Sequence, residues 1–247
     1  MQPYLLLDAG WTLLFPDYRI VRQVALQHGH DIPEERLRRV AASVIRDYDE
    51  SLKCGRAEWD VPGFFGWVLA RAGVEEPHVR AIARQLEIRN AEDSLWACTY
   101  PSVHEALARL AAQSYRMSVI SNADGRVADD MKELDLAWYF EAIFDSHIVG
   151  YAKPDPRLFE HAMAQLGLRP AECLYVGDVY FIDVLGANRA GIAAVHLDPY
   201  GLYNGWPGVH IPNVAALPDF LAQDRDLRNQ EFFPLRPTGI AGGTSNP

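Results

Sequence analysis

Two carboxylates in this chain directly follow apolar runs: Asp8 after Tyr4-Leu5-Leu6-Leu7, and Asp178 after Leu174-Tyr175-Val176-Gly177. A third run, Met117 to Ile120, ends in the hydroxyl of Ser121 and the amide of Asn122. Lys153 sits in Gly150-Tyr151-Ala152-Lys153-Pro154-Asp155-Pro156, where prolines and glycine forbid regular structure and hold the ammonium on a stiff loop. Short apolar runs that stop at a polar residue predict buried parallel strands opening into loops. Open α/β sheets bind ligands at those strand ends. Asp8, Ser121, Lys153 and Asp178 would then share one crevice. Such a set suits phosphoryl transfer, in which a carboxylate attacks and charge on the phosphoryl oxygens must be balanced. Two carboxylates and a backbone carbonyl also match Mg2+, which favours oxygen ligands. Singly, each residue is equally well read as a turn former, a helix cap or a solvated lysine.

The elements that must position these residues follow from periodicity. Between about Phe15 and Ala97 apolar positions recur at helical spacing, as in Leu37, Val40, Val44 and Ile45, and glycines and prolines divide the stretch into four or five helices. This predicts a helical insert with no strand. The Lys53 to Trp67 region, with Arg56, Trp59, Asp60, Phe64 and Phe65, reads as the core of a helical hairpin before it reads as a substrate loop. Pro101 opens a helix to Ala112, and Gly125 precedes another near Val127 to Leu134. Ala142 to Asp145 with Ile148-Val149 reads as a ragged third strand. Asp155 caps a helix with Pro156 in its first turn. Asp183 falls in the first turn of a small-residue helix ending near Gly191, before the strand Ala193 to Leu197 and a weak strand at Gly208 to Ile211. Strands alternating with helices predict a doubly wound parallel sheet, an α/β Rossmann-like core. The expected organisation is a core of residues 1–14 and 98–222, a helical insert of 15–97, and a tail of 223–247 into which Phe232 and Phe233 fall.

With 247 residues, 49% of them hydrophobic, the chain can bury a sizeable core. A formal charge of −10 and the lack of any basic run exclude the electrostatic footprint of a nucleic-acid binder. Cys54, Cys98 and Cys173 are scattered, without CxxC spacing, so neither a disulfide framework nor a zinc site is indicated. No basic leader and no long apolar stretch occurs, which predicts a cytoplasmic chain without a membrane partner.

Together these residues resemble the haloacid dehalogenase-like hydrolase superfamily over most of residues 1 to 222. Leu7-Asp8-Ala9-Gly10-Trp11-Thr12-Leu13 is similar to its first motif, Ile120-Ser121-Asn122 to its second, Lys153-Pro154 to its third, and Gly177-Asp178 through Asp183 to its fourth. The resemblance implies that Asp8 is the nucleophile, becoming an aspartyl phosphate, and that Ser121, Asn122 and Lys153 hold the substrate's phosphoryl group. It implies that Asp8, the Gly10 carbonyl and Asp178 bind Mg2+, with Asp183 in support. The insert after the first motif is similar to the family's first class of helical cap. Phosphatases of the family carry a second Asp two residues after the nucleophile as general acid and base, and Gly10 stands there instead. General acid–base catalysis contributes about 10²- to 10⁴-fold. The expected substrate is therefore a small phosphorylated molecule with a good leaving group, such as an aryl or acyl phosphate. Other readings are a dehalogenase, for which Arg36, Arg38 and Arg39 lie in the right part of the insert, a phosphonatase using Lys53, or a phosphate-binding regulatory protein.

Overall fold

The computed structural model describes residues 2–55 and 63–223. In chain order the main elements are β1 (Tyr4–Leu7), α1 (Tyr18–Gln27), α2 (Glu34–Lys53), α3 (Gly63–Arg71), α4 (His78–Glu92), α5 (Pro101–Ala112), β2 (Met117–Ser121), α6 (Val127–Glu133), β3 (Ile143–Asp145), α7 (Ser146–Val149), α8 (Pro156–Leu166), β4 (Cys173–Gly177), α9 (Leu185–Arg189), β5 (Ala193–Leu197), β6 (Val209–Ile211) and α10 (Leu217–Gln223).

Every residue of β1 is buried, because the strand lies inside a six-stranded sheet of order β3-β2-β1-β4-β5-β6 and is covered on both faces. All the strand pairs are parallel. Alternation sends Leu5 and Leu7 to one face, against Val103, Leu107 and Leu110 of α5 and Leu217 of α10. Tyr4 and Leu6 go to the other, against Leu158 and Phe159 of α8 and Ala187 of α9. The α/β doubly wound sheet predicted from the alternating elements is the fold observed.

Strand order reverses beside β1, as β2 and β3 are laid down on one side and β4, β5 and β6 on the other. Leu7 is level with Val119 of β2 and Val176 of β4, which brings Asp8, Ser121 and Asp178 to the same rim within a residue of register. That reversal opens the crevice where such sheets take ligands.

Helices α1 to α4, all between β1 and β2 in sequence, enclose an apolar cluster of their own that includes Val21, Leu37, Val44, Leu69, Ile82 and Leu86. No helix among the described residues is long and apolar enough to cross a membrane. Phe64 and Phe65 pack against the helical cluster. Arg56, Trp59 and Asp60 of the same region, and Phe232 and Phe233 of the tail, lie outside the described residues.

The third strand departs from expectation. It stops at Asp145, and Ser146–Val149 forms a helical turn instead of continuing it. Asp145 accounts for this: its carboxylate accepts from the amide of His147 at 2.9 Å, an N-cap bond, and Gly150 closes the turn with φ 85°. As expected, Asp155 caps α8 from the residue before Pro156.

Candidate active site

Lys153 is the hub of the rim. Its ammonium donates to Asp8 Oδ1 at 2.6 Å, to Asp183 Oδ1 at 2.7 Å and to the Tyr175 hydroxyl at 2.9 Å. Asn122 fixes the loop that presents it: the amide Nδ2 donates to the Lys153 carbonyl at 2.9 Å, and Oδ1 accepts from the Lys153 amide at 2.7 Å. Both ends of the Asn122 side chain are thus engaged with the backbone of Lys153. Ser121 ends β2 and is buried.

Asp183 stands on a wide helical turn, Tyr180–Val184, that leads into α9. Its Oδ2 accepts from the amides of Asp178 and Val179 at 3.1 and 2.9 Å, while Oδ1 takes Lys153 and the Tyr175 hydroxyl. This requires Gly177. A Cβ on Gly177 would lie 2.5 Å from Asp183 Cγ, closer than any real side chain is found.

Asp8, Asp178 and Asp183 each offer a carboxylate oxygen within 4.8 Å of the others. Asp183 already has donors on both oxygens, so it can steady a metal site more readily than ligate. Asp178 is the opposite case. Both of its carboxylate oxygens are buried with no hydrogen-bond partner among the described residues, an arrangement that costs free energy unless a cation or proton meets it. Burial, and then Asp183 and Asp8, push its pKa well above the usual carboxylate range. Burial likewise raises Asp8 to about 6, against the pull of Lys153. Burial opposes the Lys153 ammonium, yet Asp183 and Asp8 hold its pKa above the usual lysine value. One ammonium facing three carboxylates leaves an excess of negative charge, so the donor set fits a hard divalent cation. His196, held neutral by burial at about 4, donates from Nε2 to the Asp178 carbonyl at 2.8 Å and fixes the backbone there.

Gly10 has no positive φ; Trp11 beside it takes the left-handed value, 55°. A Cβ on Gly10 would meet the Trp96 ring at 3.5 Å, an ordinary contact.

Asp49 and Tyr175 escaped the sequence reading. Asp49, fully buried on α2, accepts from the amides of Tyr180 and Phe181 at 2.9 and 2.8 Å and from the Tyr203 hydroxyl at 2.6 Å. The signal for it was a carboxylate four residues after Ile45, on the apolar stripe of α2. Tyr175 looked like one more apolar strand residue, and only its contacts distinguish it.

A family model of haloacid dehalogenase-like hydrolases matches residues 12–191. The chain belongs to that family. Among relatives of this hydrolase, a glyceraldehyde 3-phosphate phosphatase of Methanopyrus kandleri is 27% identical over 168 residues, 68% of each chain. The human haloacid dehalogenase-like hydrolase domain-containing protein 3 is 31% identical over 49% of this chain and 48% of its own length. A phosphoserine phosphatase of Thermus thermophilus is 39% identical over 40% of this chain and 41% of its own. With the last two, the hydrolase spans half or less of the relative it matches. Among solved structures, the hydrolase YfnB of Bacillus subtilis, bound to magnesium, superposes with TM-score 0.62 at 17% identity, covering 89% of this chain and 98% of that one. A 2-haloacid dehalogenase of Pseudomonas syringae pv. Tomato DC3000 gives 0.53 at 22% identity, covering 90% and 99%. These likenesses are of fold.

Proposed function

We propose that this hydrolase cleaves small phosphate monoesters with Mg2+, by way of a phosphoryl group carried on Asp8. The observation that carries this reading is the buried Asp178 carboxylate, which has no hydrogen-bond partner among the described residues and stands beside Asp8, Asp183 and Lys153. Relatives named as phosphatases of glyceraldehyde 3-phosphate and phosphoserine support a small phosphorylated substrate.

Asp8 and Asp178, with the carbonyl of Gly10, would hold Mg2+, which when bound supplies positive charge against the phosphoryl oxygens. Asp8 forms its bond to phosphorus as the bond to the ester oxygen breaks, and that oxygen leaves with the electron pair. The Lys153 ammonium and the Ser121 hydroxyl meet the phosphoryl oxygens. Asn122, Asp183 and Tyr175 position Lys153. Water then attacks phosphorus, the bond to Asp8 breaks, and inorganic phosphate leaves; the proton given up by water balances the departed oxyanion. The sum is ester plus water to alcohol plus phosphate. Residues 15–97 act as a helical cap over a core of 1–14 and 98–222, with 223–247 a tail.

Carbon–halogen hydrolysis also uses a carboxylate nucleophile, but it gives no role to the oxygens of Asp178, which lack a hydrogen-bond partner among the described residues. The test is phosphate release from p-nitrophenyl phosphate and a panel of phosphorylated metabolites, with Mg2+ present or chelated and Asp8→Asn as blank. Release that needs both Mg2+ and Asp8 is expected. Undiminished turnover in excess chelator, or by the variant, overturns the reading.

A further inference from the structure

A cavity of about 190 Å³ lies between α2 and the C-terminal ends of β5 and β6. Trp11, Phe15, Tyr100, Tyr200 and Tyr203 bring aromatic rings to its wall. Thr12 and Tyr18 line it too, and their hydroxyl oxygens are buried with no hydrogen-bond partner among the described residues. The Arg38 guanidinium also lines it, 5.0 Å from the centre of the Tyr18 ring and 5.6 Å from that of Tyr100. Arg38 donates to the Tyr100 hydroxyl and, at a long 3.4 Å, to Glu34. Asp178 belongs both to this wall and to the acidic cluster.

These features describe a ligand. A closed apolar cavity of about 150 Å³ takes a benzene molecule, so this one has room for a single ring with a small substituent. Aromatic walls favour a flat ring. A guanidinium fork has five donors and matches a carboxylate in plane. Gly10, where an acid would protonate a departing oxygen, calls for an oxygen that leaves as an anion, and a phenol, with a pKa of about 10, does so far more readily than an alkanol.

We infer that the cavity receives the leaving group, and that the substrate is the phosphate monoester of a hydroxy-substituted aromatic acid, its ring between the tyrosines and its carboxylate on Arg38. This rests on the phosphatase reading. The aryl oxygen–phosphorus bond breaks as Asp8 bonds to phosphorus, the phenolate leaves with the electron pair, and the water that frees Asp8 supplies the proton it takes up.

The test compares kcat/KM for 3- and 4-carboxyphenyl phosphate, phenyl phosphate and glycerol phosphate in the wild type, Arg38→Gln, Arg38→Lys and Ala42→Phe, the last placing bulk in the cavity wall. The carboxyphenyl esters should be the best substrates. Arg38→Gln should cut their advantage over phenyl phosphate about tenfold or more, mainly through KM, and Arg38→Lys should restore part of it. Ala42→Phe should lower both aryl esters relative to glycerol phosphate. Calorimetric binding of 3- and 4-hydroxybenzoate, which needs no turnover, separates the two readings. Binding that Arg38→Gln weakens, with no phosphate hydrolysed, overturns the phosphatase reading and supports the ring-and-anion site. Phosphatase turnover with the same ester preference in wild type and Arg38→Gln overturns the site alone.

Discussion

The Asp49 carboxylate on α2 accepts the backbone amide of Tyr180 at 2.9 Å, so α2 holds the turn that carries Asp183. Phe181 and Tyr203 donate to the same carboxylate. Replacing it by Ala leaves two amides and a hydroxyl with no acceptor in a buried place, at about 1–3 kcal/mol for each group that water cannot reach. Asp49→Ala should therefore lose about 3 kcal/mol in urea unfolding. A loss under about 1 kcal/mol would mean that water replaces the carboxylate.

The same residue gives a pH dependence. Burial pushes Asp49 up to about 6, with Tyr203 and the two amides pulling against it. An acid whose pKa is higher folded than unfolded, where it is about 3.9, holds its proton more tightly in the fold. Its contribution is fully present below about pH 4 and is lost as the pH rises through 6. The stability of wild type relative to Asp49→Asn should thus fall by on the order of 3 kcal/mol between pH 4 and pH 7. Parallel pH profiles of the two proteins in denaturant unfolding would contradict this.

Gly177 has no room for a methyl group, because Asp183 Cγ would lie 2.5 Å from its Cβ. Gly177→Ala should either cost about 1–3 kcal/mol of stability or expel the Asp183 carboxylate from the amides of Asp178 and Val179. Displacement lowers turnover by freeing Lys153 from one of its anchors, whereas strain alone leaves that anchor in place. Melting temperature and phosphate release, measured on one preparation, distinguish strain from displacement.

Buried like charges at Asp8, Asp178 and Asp183 repel in the absence of a cation. Mg2+ should raise the melting temperature of the wild type, since a ligand bound only by the folded state stabilises it. Asp178→Asn removes one of the charges. It should melt higher than the wild type without metal and show no further rise with Mg2+. An equal Mg2+ response in both proteins would place the cation elsewhere.

At Gly10 the backbone has no positive φ, and a Cβ would touch Trp96 at 3.5 Å. Gly10→Asp should fold with less than about 1 kcal/mol of loss. By offering a proton it should speed alkyl phosphates by roughly 10- to 100-fold while changing aryl phosphates little, flattening the dependence on leaving group. An unchanged dependence in a stable variant would show that another group already protonates the leaving oxygen.

Asp8, Ser121, Lys153 and Asp178 were legible in the chain because their signals are local. An apolar run that stops at a carboxylate or hydroxyl marks a strand end, and two prolines mark a stiff loop, whatever the rest of the chain does. Alternation of such runs with helical periods was enough for the doubly wound sheet. Ile148 and Val149 were misjudged because one capping side chain, Asp145, outweighed their β-branched preference for strand. Only the tertiary structure decided what meets what. Lys153 lies 145 residues from Asp8, and Asp49 lies 131 from Tyr180, so their contacts depend on strand order and on how α2 packs over the sheet. The cavity with Arg38, Tyr18 and Thr12 was equally hidden, since a void is a property of several packed elements together. Which buried oxygens lack a hydrogen-bond partner among the described residues, as in Asp178, depends on every neighbour at once, and no local pattern encodes that.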